Sequence, residues 1–272
     1  MYPDKIIDFH THVFPDKLYN AIRKWFINNA GWEFYFKGSS IDVLKFLEER
    51  KEIEYYLCFG YAHKPDISMG LNDFYASIKL NYKKAIPLAC FHQDDADIDK
   101  VVKDAFSKGL KGFKLHCQVQ KVTPDDERLF KAYDIIVDKG GFVIFHAGTG
   151  PFINEYVGFK YFENFLKKYP MMKCVVAHLG AFESKLFLEA SLSFPNLFLD
   201  TSYTFIANPT NIMTAPVKLL KKACKKIFFG SDFPGICHSY EDSVLAISNL
   251  SLNEEEKRLI FYENAKYFLQ NL

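Results

Sequence analysis

What most limits how this chain can fold is an alternation that runs from end to end. Short runs rich in β-branched and aromatic residues ("KIIDFHTH", "YYLCFGYAH", "AIPLACFHQ", "GFKLHCQVQ", "GFVIFHAG", "KCVVAHLG", "LFLDTS" and "KIFFGSDFP") are separated by amphipathic stretches such as "SSIDVLKFLEERK", "DIDKVVKDAFSKG" and "PDDERLFKAYDIIVDKGG". The runs have the length and composition of strands, and the stretches have the apolar period of helices. A serine opens the first of these stretches and glycines close the other two, as helix caps do. Strands that alternate with helices are parallel strands joined by crossovers. Eight such units in 272 residues match a (β/α)8 TIM barrel, an α/β fold, as one domain spanning 1–272. A doubly wound open sheet is the competing architecture. No linker, repeat or low-complexity tract divides the chain.

One connection is unlike the others. Residues 14–40, "FPDKLYNAIRKWFINNAGWEFYFKGSS" after the first run, hold both tryptophans, Trp25 and Trp32, beside Phe26, Phe34, Tyr35 and Phe36. An aromatic insertion at that place is either a lid over an apolar or aromatic substrate or a surface for dimer contact and helix packing.

The first strand carries His10 and His12 two residues apart. Side chains two apart on a strand point the same way, so both imidazoles are expected to project together with Asp8 below them, and Ile7, Phe9 and Thr11 to face away. Two convergent neutral imidazoles can hold one metal ion. Polar residues at other strand tips strengthen the pattern: His63, His92, His116, His146, His178 and Asp232 stand at or near the ends of runs, and only His238 among the eight histidines lies in a loop. In a barrel these ends meet at one mouth, where active sites are built. Strict alternation in "GFKLHCQVQ" places Lys114, His116, Gln118 and Gln120 on one face, opposite Phe113, Leu115, Cys117 and Val119. By the same reasoning His146 follows Ile144 and Phe142, His178 follows Val176 and Cys174, and Asp232 follows Gly230 and Phe228.

Net charge is +1, which offers no general field for nucleic acid or an anionic membrane. The six cysteines form no C-x-x-C pair and several fall inside apolar runs, as free thiols in a reducing compartment do. No signal-peptide pattern opens the chain and no apolar run approaches the length of a membrane span. A cytoplasmic protein without nucleic-acid or membrane partners is expected.

The set "DFHTH", "GFKLH", "VIFHAG", "VVAHLG", "LDTS" and "FGSDFP", with the closing "LIFYENAKYFL", resembles the amidohydrolase superfamily from Ile6 to Leu269. More narrowly it resembles the branch that includes α-amino-β-carboxymuconate-semialdehyde decarboxylase, γ-resorcylate decarboxylase and assorted hydrolases. That resemblance implies His10, His12, His146 and Asp232 as ligands of one divalent ion, zinc first and manganese second, with a water in the open position. It also implies His178 beside that water as a proton carrier, with Asp232 as the other. In some superfamily members a lysine on the fourth strand is carboxylated and bridges two metals. Lys114 is placed for that role, or for binding a substrate carboxylate as a plain ammonium, and the branch resembled points to one metal. His116 and Gln118 then become contacts to substrate or to the ligands; Asp8, Asp200, His63 and His92 orient ligands or are satisfied by packing.

Two reactions fit such a site. In the first, a metal-activated water hydrolyses a C–N or C–O bond of a small molecule. In the alternative, a non-oxidative decarboxylase uses the same ion on an aromatic or unsaturated carboxylic acid, with His178 protonating carbon. A related metal nuclease would need a cationic track for phosphates that the balanced charge does not promise, and a catalytically silent barrel would not be expected to keep the whole ligand set. The expected partner is a small molecule, a carboxylate fitting best, with a homodimer as the expected assembly.

Overall fold

The structure, a computed structural model, describes residues 3–206 and 212–272. Among the described residues nine parallel strands run in chain order: β1 (Ile6–His12), β2 (Ile53–Phe59), β3 (Ala85–Pro87), β4 (Ala89–Cys90), β5 (Gly112–His116), β6 (Phe142–His146), β7 (Lys173–Val176), β8 (Leu197–Asp200) and β9 (Ile227–Phe228). Strands β3 and β4 are one path broken at Leu88, whose N–H still donates to Cys58 O of β2 at 3.0 Å. Eight barrel positions result, each paired with its sequence neighbour. Hydrogen bonds from Phe9 N to Phe229 O (2.8 Å), Asp232 N to His10 O (2.9 Å) and His12 N to Phe233 O (2.7 Å) join the last strand to the first, and the sheet closes. The fold is the (β/α)8 barrel that the alternation implies.

The strands are buried on both faces, as expected where helices cover a parallel sheet. Ile7, Phe9, Leu57, Phe59, Leu88, Phe142, Ile144, Val175 and Phe228 fill the barrel, and Ala265 and Phe268 of the last helix plug one end. A second and larger apolar layer, among it Ile6, Phe113, Leu115, Cys174 and Val176, lies between barrel and helices. Burying apolar surface at about 25 cal/mol per Å² makes these two layers the main stabilising contribution.

Helix ends follow the local chemistry. The helix Ser40–Glu49 starts at a capping box, with the Ser39 hydroxyl and the Asp42 carboxylate satisfying each other's backbone N–H. The insertion after β1 forms helix α1 (Asp16–Ala30), stopped by Gly31 at φ 64°. The irregular segment of aromatics that follows packs Phe34 with Phe14, Tyr19 and Tyr61. Among the described residues no helix is long and apolar enough to cross a membrane.

Three expectations drawn from alternation need correction. The run "GFKLHCQVQ" is not one strand: β5 ends at His116 and Cys117–Gln120 is a helical turn, so Gln118 and Gln120 share no strand face with Lys114. The Gln120 carboxamide instead receives the His116 N–H at 2.9 Å and donates to Phe91 O at 2.9 Å, which favours the turn. In β1 the pairing with β2 slips between Asp8 and Thr11, so the phase of the strand resets. Ile7 and Phe9 therefore lie inside the barrel, and Asp8 does not stand in file with the histidines. Finally, Val176 and Cys174 face the outer layer, and His178 does not continue their face. Residues 178–181 leave β7 with positive φ (59° at His178, 52° at Leu179, 81° at Gly180, 55° at Ala181), and this turn carries His178 back into the mouth.

Candidate metal centre and chamber

At the mouth, the Nε2 atoms of His10 and His12 lie 3.3 Å apart. Asp232 Oδ1 is 3.3 Å from the first and 3.1 Å from the second. Among the described residues these three are the group of potential metal-binding side chains whose donor atoms converge. Ligands about 2.0–2.1 Å from one ion at tetrahedral angles stand about 3.3 Å from each other, so the spacing suits a shared divalent cation.

The hydrogen-bond network explains why the convergence suits a cation. His10 Nδ1 lies 2.8 Å from Asp200 Oδ2, with both side chains fully buried. Asp200 Oδ1 takes the backbone N–H of His178 (3.2 Å) and of Ser202 (3.0 Å) and the Ser202 hydroxyl. Burial raises the Asp200 carboxyl, but the His10 imidazole beside it outweighs this and holds it down at about 2. An ionised carboxylate only accepts, so His10 Nδ1 carries the hydrogen. Burial, helped by the nearby Lys114 ammonium, pushes His10 down to about 3, so the ring is neutral with a lone pair at Nε2. His12 Nδ1 faces Phe59 O at 3.3 Å, which places its hydrogen there and its lone pair at Nε2 as well. Burial also raises the Asp232 carboxyl; the close approach of His12 and the neighbouring imidazoles overcomes this and holds it well below the usual carboxylate range. Two lone pairs and an anion thus point at one place.

A second pair of imidazoles stands alongside. His146 Nδ1 is 3.2 Å from His178 Nε2. His146 Nε2 lies 2.9 Å from Gly150 O, so the hydrogen sits on Nε2 and Nδ1 is open. Burial keeps His146 neutral, well below its ordinary value. His178 Nδ1 lies 2.9 Å from Ser202 O and 2.9 Å from Ser202 Oγ, whose hydrogen goes to Asp200, so His178 donates there. Between these two nitrogens a proton or a cation completes the network. His146 is not within the convergent group of His10, His12 and Asp232.

The remaining residues singled out by sequence take varied places. Lys114 points into the barrel, 1% exposed, its Nζ 4.9 Å from the centre of the Phe59 ring and without an acceptor among the described residues. Burial pushes this lysine down to about 8 against the pull of Asp200 and Asp232. His116 stacks on His146 at 4.1 Å and 11°. Asp8 Oδ1 accepts the N–H groups of His10 and Ser231, bracing the first and last strands, and burial raises it to about 7. His63 lies beyond β2 at the chamber wall, whereas His92 accepts the Asp94 N–H at 3.1 Å. His238 meets Ser243 Oγ at 3.1 Å.

Above the triad opens a chamber of about 510 Å³. His12, His116, His146, His178 and Asp232 form its polar floor; Phe14, Phe26, Phe34, Tyr61, Phe152 and Tyr203 stand among its walls, and Trp25 and Trp32 come from the 14–40 insertion. Glycine permits the tight floor. A Cβ on Gly148 would lie 2.4 Å from the Gly180 carbonyl carbon, and one on Gly230 would lie 2.7 Å from His10 Cβ. Sequence reasoning did not single out Ser202, which ties His178 to Asp200, nor Phe152 and Tyr203. The "LDTS" run contains Ser202, but nothing in the spacing marks those two rings as chamber walls.

The amidohydrolase family model matches residues 7–270. The chain belongs to that family. Among solved structures the amidohydrolase is similar to an uncharacterized TIM-barrel protein from Bordetella bronchiseptica, at 17% identity and TM-score 0.73 over 98% of this chain and 99% of that one. It is also similar to a 5-carboxyvanillate decarboxylase from Novosphingobium aromaticivorans complexed with manganese and 4-hydroxy-3-methoxy-5-nitrobenzoic acid, at 13% identity and TM-score 0.65 over 98% and 96% of the two chains. A dihydroxybenzoic acid decarboxylase from Polaromonas with bound manganese and the inhibitor 2-nitroresorcinol matches at 12% identity and TM-score 0.63 over 98% and 97%. At these identities the likeness establishes the barrel fold. No curated protein sequence matches significantly.

Proposed function

We propose that this amidohydrolase is a metal-dependent, non-oxidative decarboxylase of an aromatic carboxylic acid. The observation that carries the reading is the placement of three convergent donors, His10, His12 and Asp232, on the floor of an aromatic-walled chamber. A ring-bearing acid suits that shape: apolar walls take the ring, and the polar floor takes the carboxylate. The manganese-bound decarboxylases of the same fold support the choice over hydrolysis, which needs the same floor but no aromatic chamber.

His10, His12 and Asp232 would hold one divalent ion, zinc or manganese, with the open Nδ1 of His146 as the further donor. Such an ion supplies a Lewis acid that draws in carboxylate or phenolate oxygen. The walls hold the ring over the floor and exclude water from it. As the carbon–carboxylate bond breaks, its electron pair stays on the ring carbon. His178, aimed by Ser202, delivers a proton there from Nε2 and CO2 leaves; solvent later restores the proton. Asp232 is the second proton carrier at the same floor. An uncarboxylated Lys114 fits one ion, its ammonium offsetting the charges of Asp200 and Asp232.

The test loads the protein with manganese or zinc and supplies a panel of hydroxybenzoic acids in D2O. CO2 release with one deuterium at the vacated ring carbon is the expected result. Silence on every acid, together with solvent 18O entering the products of a lactone or amide panel, overturns decarboxylation and establishes hydrolysis.

A further inference from the structure

The chamber floor holds one side chain that the metal centre leaves uncommitted. His116 ends β5 and lines the floor, half-buried. Its ring stacks on His146 at 4.1 Å and 11°, and the Tyr61 ring crosses it at 4.7 Å and 69°. Its Nδ1 accepts the Val119 N–H at 3.4 Å and so caps the turn Cys117–Gln120. A ring nitrogen that accepts carries a lone pair, so the hydrogen sits on Nε2. Nε2 meets no hydrogen-bond partner among the described residues, and it is not one of the buried side-chain atoms closed to water. One face is taken by His146 and the Nδ1 edge by the turn. The edge that stays open carries Nε2, and the space that His116 borders is the chamber.

Nothing else on the floor offers such a group. His12 and His146 turn lone pairs inward, and Asp232 is an anion that only accepts. The hydrogen on His178 Nε2 is the one that the decarboxylase reading delivers to carbon. An aromatic acid brings two carboxylate oxygens, and a second oxygen beside lone pairs and an anion needs a donor. Neither structural task of His116 requires its Nε2. Asparagine caps a helical turn as well, and phenylalanine stacks as well.

We propose that His116 is a substrate-binding residue whose Nε2–H donates to a carboxylate oxygen of the aromatic acid on the chamber floor. This deepens the decarboxylase reading and rests on it. The bond is charge-assisted, because its acceptor is an anion. That charge leaves the carboxylate as CO2 forms, so the bond holds bound substrate more firmly than the transition state. Its loss raises KM more than it lowers kcat.

Two variants separate the two nitrogens. His116→Asn keeps an acceptor for the Val119 N–H and removes the donor, whereas His116→Gln sets an amide N–H near the Nε2 position and gives up the cap. The zinc-loaded, full-length protein is titrated with the hydroxybenzoic acids, and the acid that binds most tightly is carried into the variants. The expected result is a Kd weakened about tenfold or more in His116→Asn and largely recovered in His116→Gln, with zinc affinity within threefold of the wild type in both. In 15N-histidine-labelled wild type, the His116 Nε2–H signal, assigned through bonds from its backbone amide, moves downfield with the acid, and zinc alone leaves that hydrogen in place. Should neither variant fold, this spectrum decides alone. An unchanged Kd in His116→Asn, a His116→Gln protein no better than His116→Asn, or a signal that bound acid leaves unmoved overturns the role. Zinc affinity that falls together with acid affinity overturns it as well and assigns His116 to the metal. Failure of every acid to bind the wild type overturns the aromatic-carboxylate reading instead, so the two failures are distinct.

Discussion

Replacing Asp200 by asparagine tests the metal centre without touching a proposed ligand. The change is isosteric, and the structure dictates how the carboxamide must sit. On the Oδ1 side two backbone N–H groups, from His178 and Ser202, and the Ser202 hydroxyl all donate to position 200, so only the amide oxygen fits there. The amide NH2 then faces His10 Nδ1, 2.8 Å away in the native pairing. Nδ1 must become the acceptor, and the imidazole hydrogen moves to Nε2, into the position the ion would take. Binding metal requires either moving that hydrogen back or turning the amide so that NH2 meets two N–H donors. Loss of such a supporting partner weakens metal binding by about 10–100-fold, or about 1.4–2.7 kcal/mol. The assay is competition for zinc against a chromogenic chelator, supported by the metal-induced rise in Tm, which shrinks by the same free energy. A metal-free Asp200→Asn protein with native circular dichroism that binds zinc within threefold of the wild type would refute both the tautomer assignment and the metal centre built on it.

Gly148→Ala places a methyl against the Gly180 backbone at 2.4 Å and is expected to destabilise the fold by about 2–3 kcal/mol, read as a lowered urea midpoint; an unchanged midpoint contradicts the close approach of β6 and β7 at the floor. Burial holds His238 down at about 4, below its ordinary 6.5, so the unfolded chain takes up this proton first. The stability it contributes is whole above about pH 6.5 and is lost as pH falls toward 4, with a ceiling of about 3 kcal/mol, and His238→Gln flattens that part of the stability profile. Burial raises the thiols of Cys58, Cys90, Cys117 and Cys174, so a thiol reagent at pH 7.5 reaches only the half-buried Cys224 and Cys237 until denaturant is added; rapid labelling of six thiols in native protein contradicts the packing.

Local pattern decided much of the architecture. Strand order, the parallel sheet and its crossover helices follow from apolar runs that recur with amphipathic stretches between them, because each run buries both faces only when helices cover it. The convergence of His10 and His12 was legible for a similar reason: two residues of one strand keep their relation whatever the rest of the chain does. Lys114 was legible too, since its neighbours Phe113 and Leu115 face the outer layer and leave the inward side to it.

Alternation failed wherever the chain left regular strand geometry. The slip in β1 moved Ile7 and Phe9 inside, and the left-handed turn after β7 reversed the direction of His178; neither has a local signature, since both are set by pairing and close approach between distant segments. Which nitrogen of His10 carries its hydrogen depends on Asp200, 190 residues away, and the roof over the floor depends on Trp32 meeting Phe152 and Tyr203. Sequence by itself determined the barrel and the chemical types at its mouth, because these depend on periodicity and composition. Only the tertiary structure decided which lone pairs converge and what shape of ligand they meet, because barrel closure brings those atoms together from strands far apart in the chain.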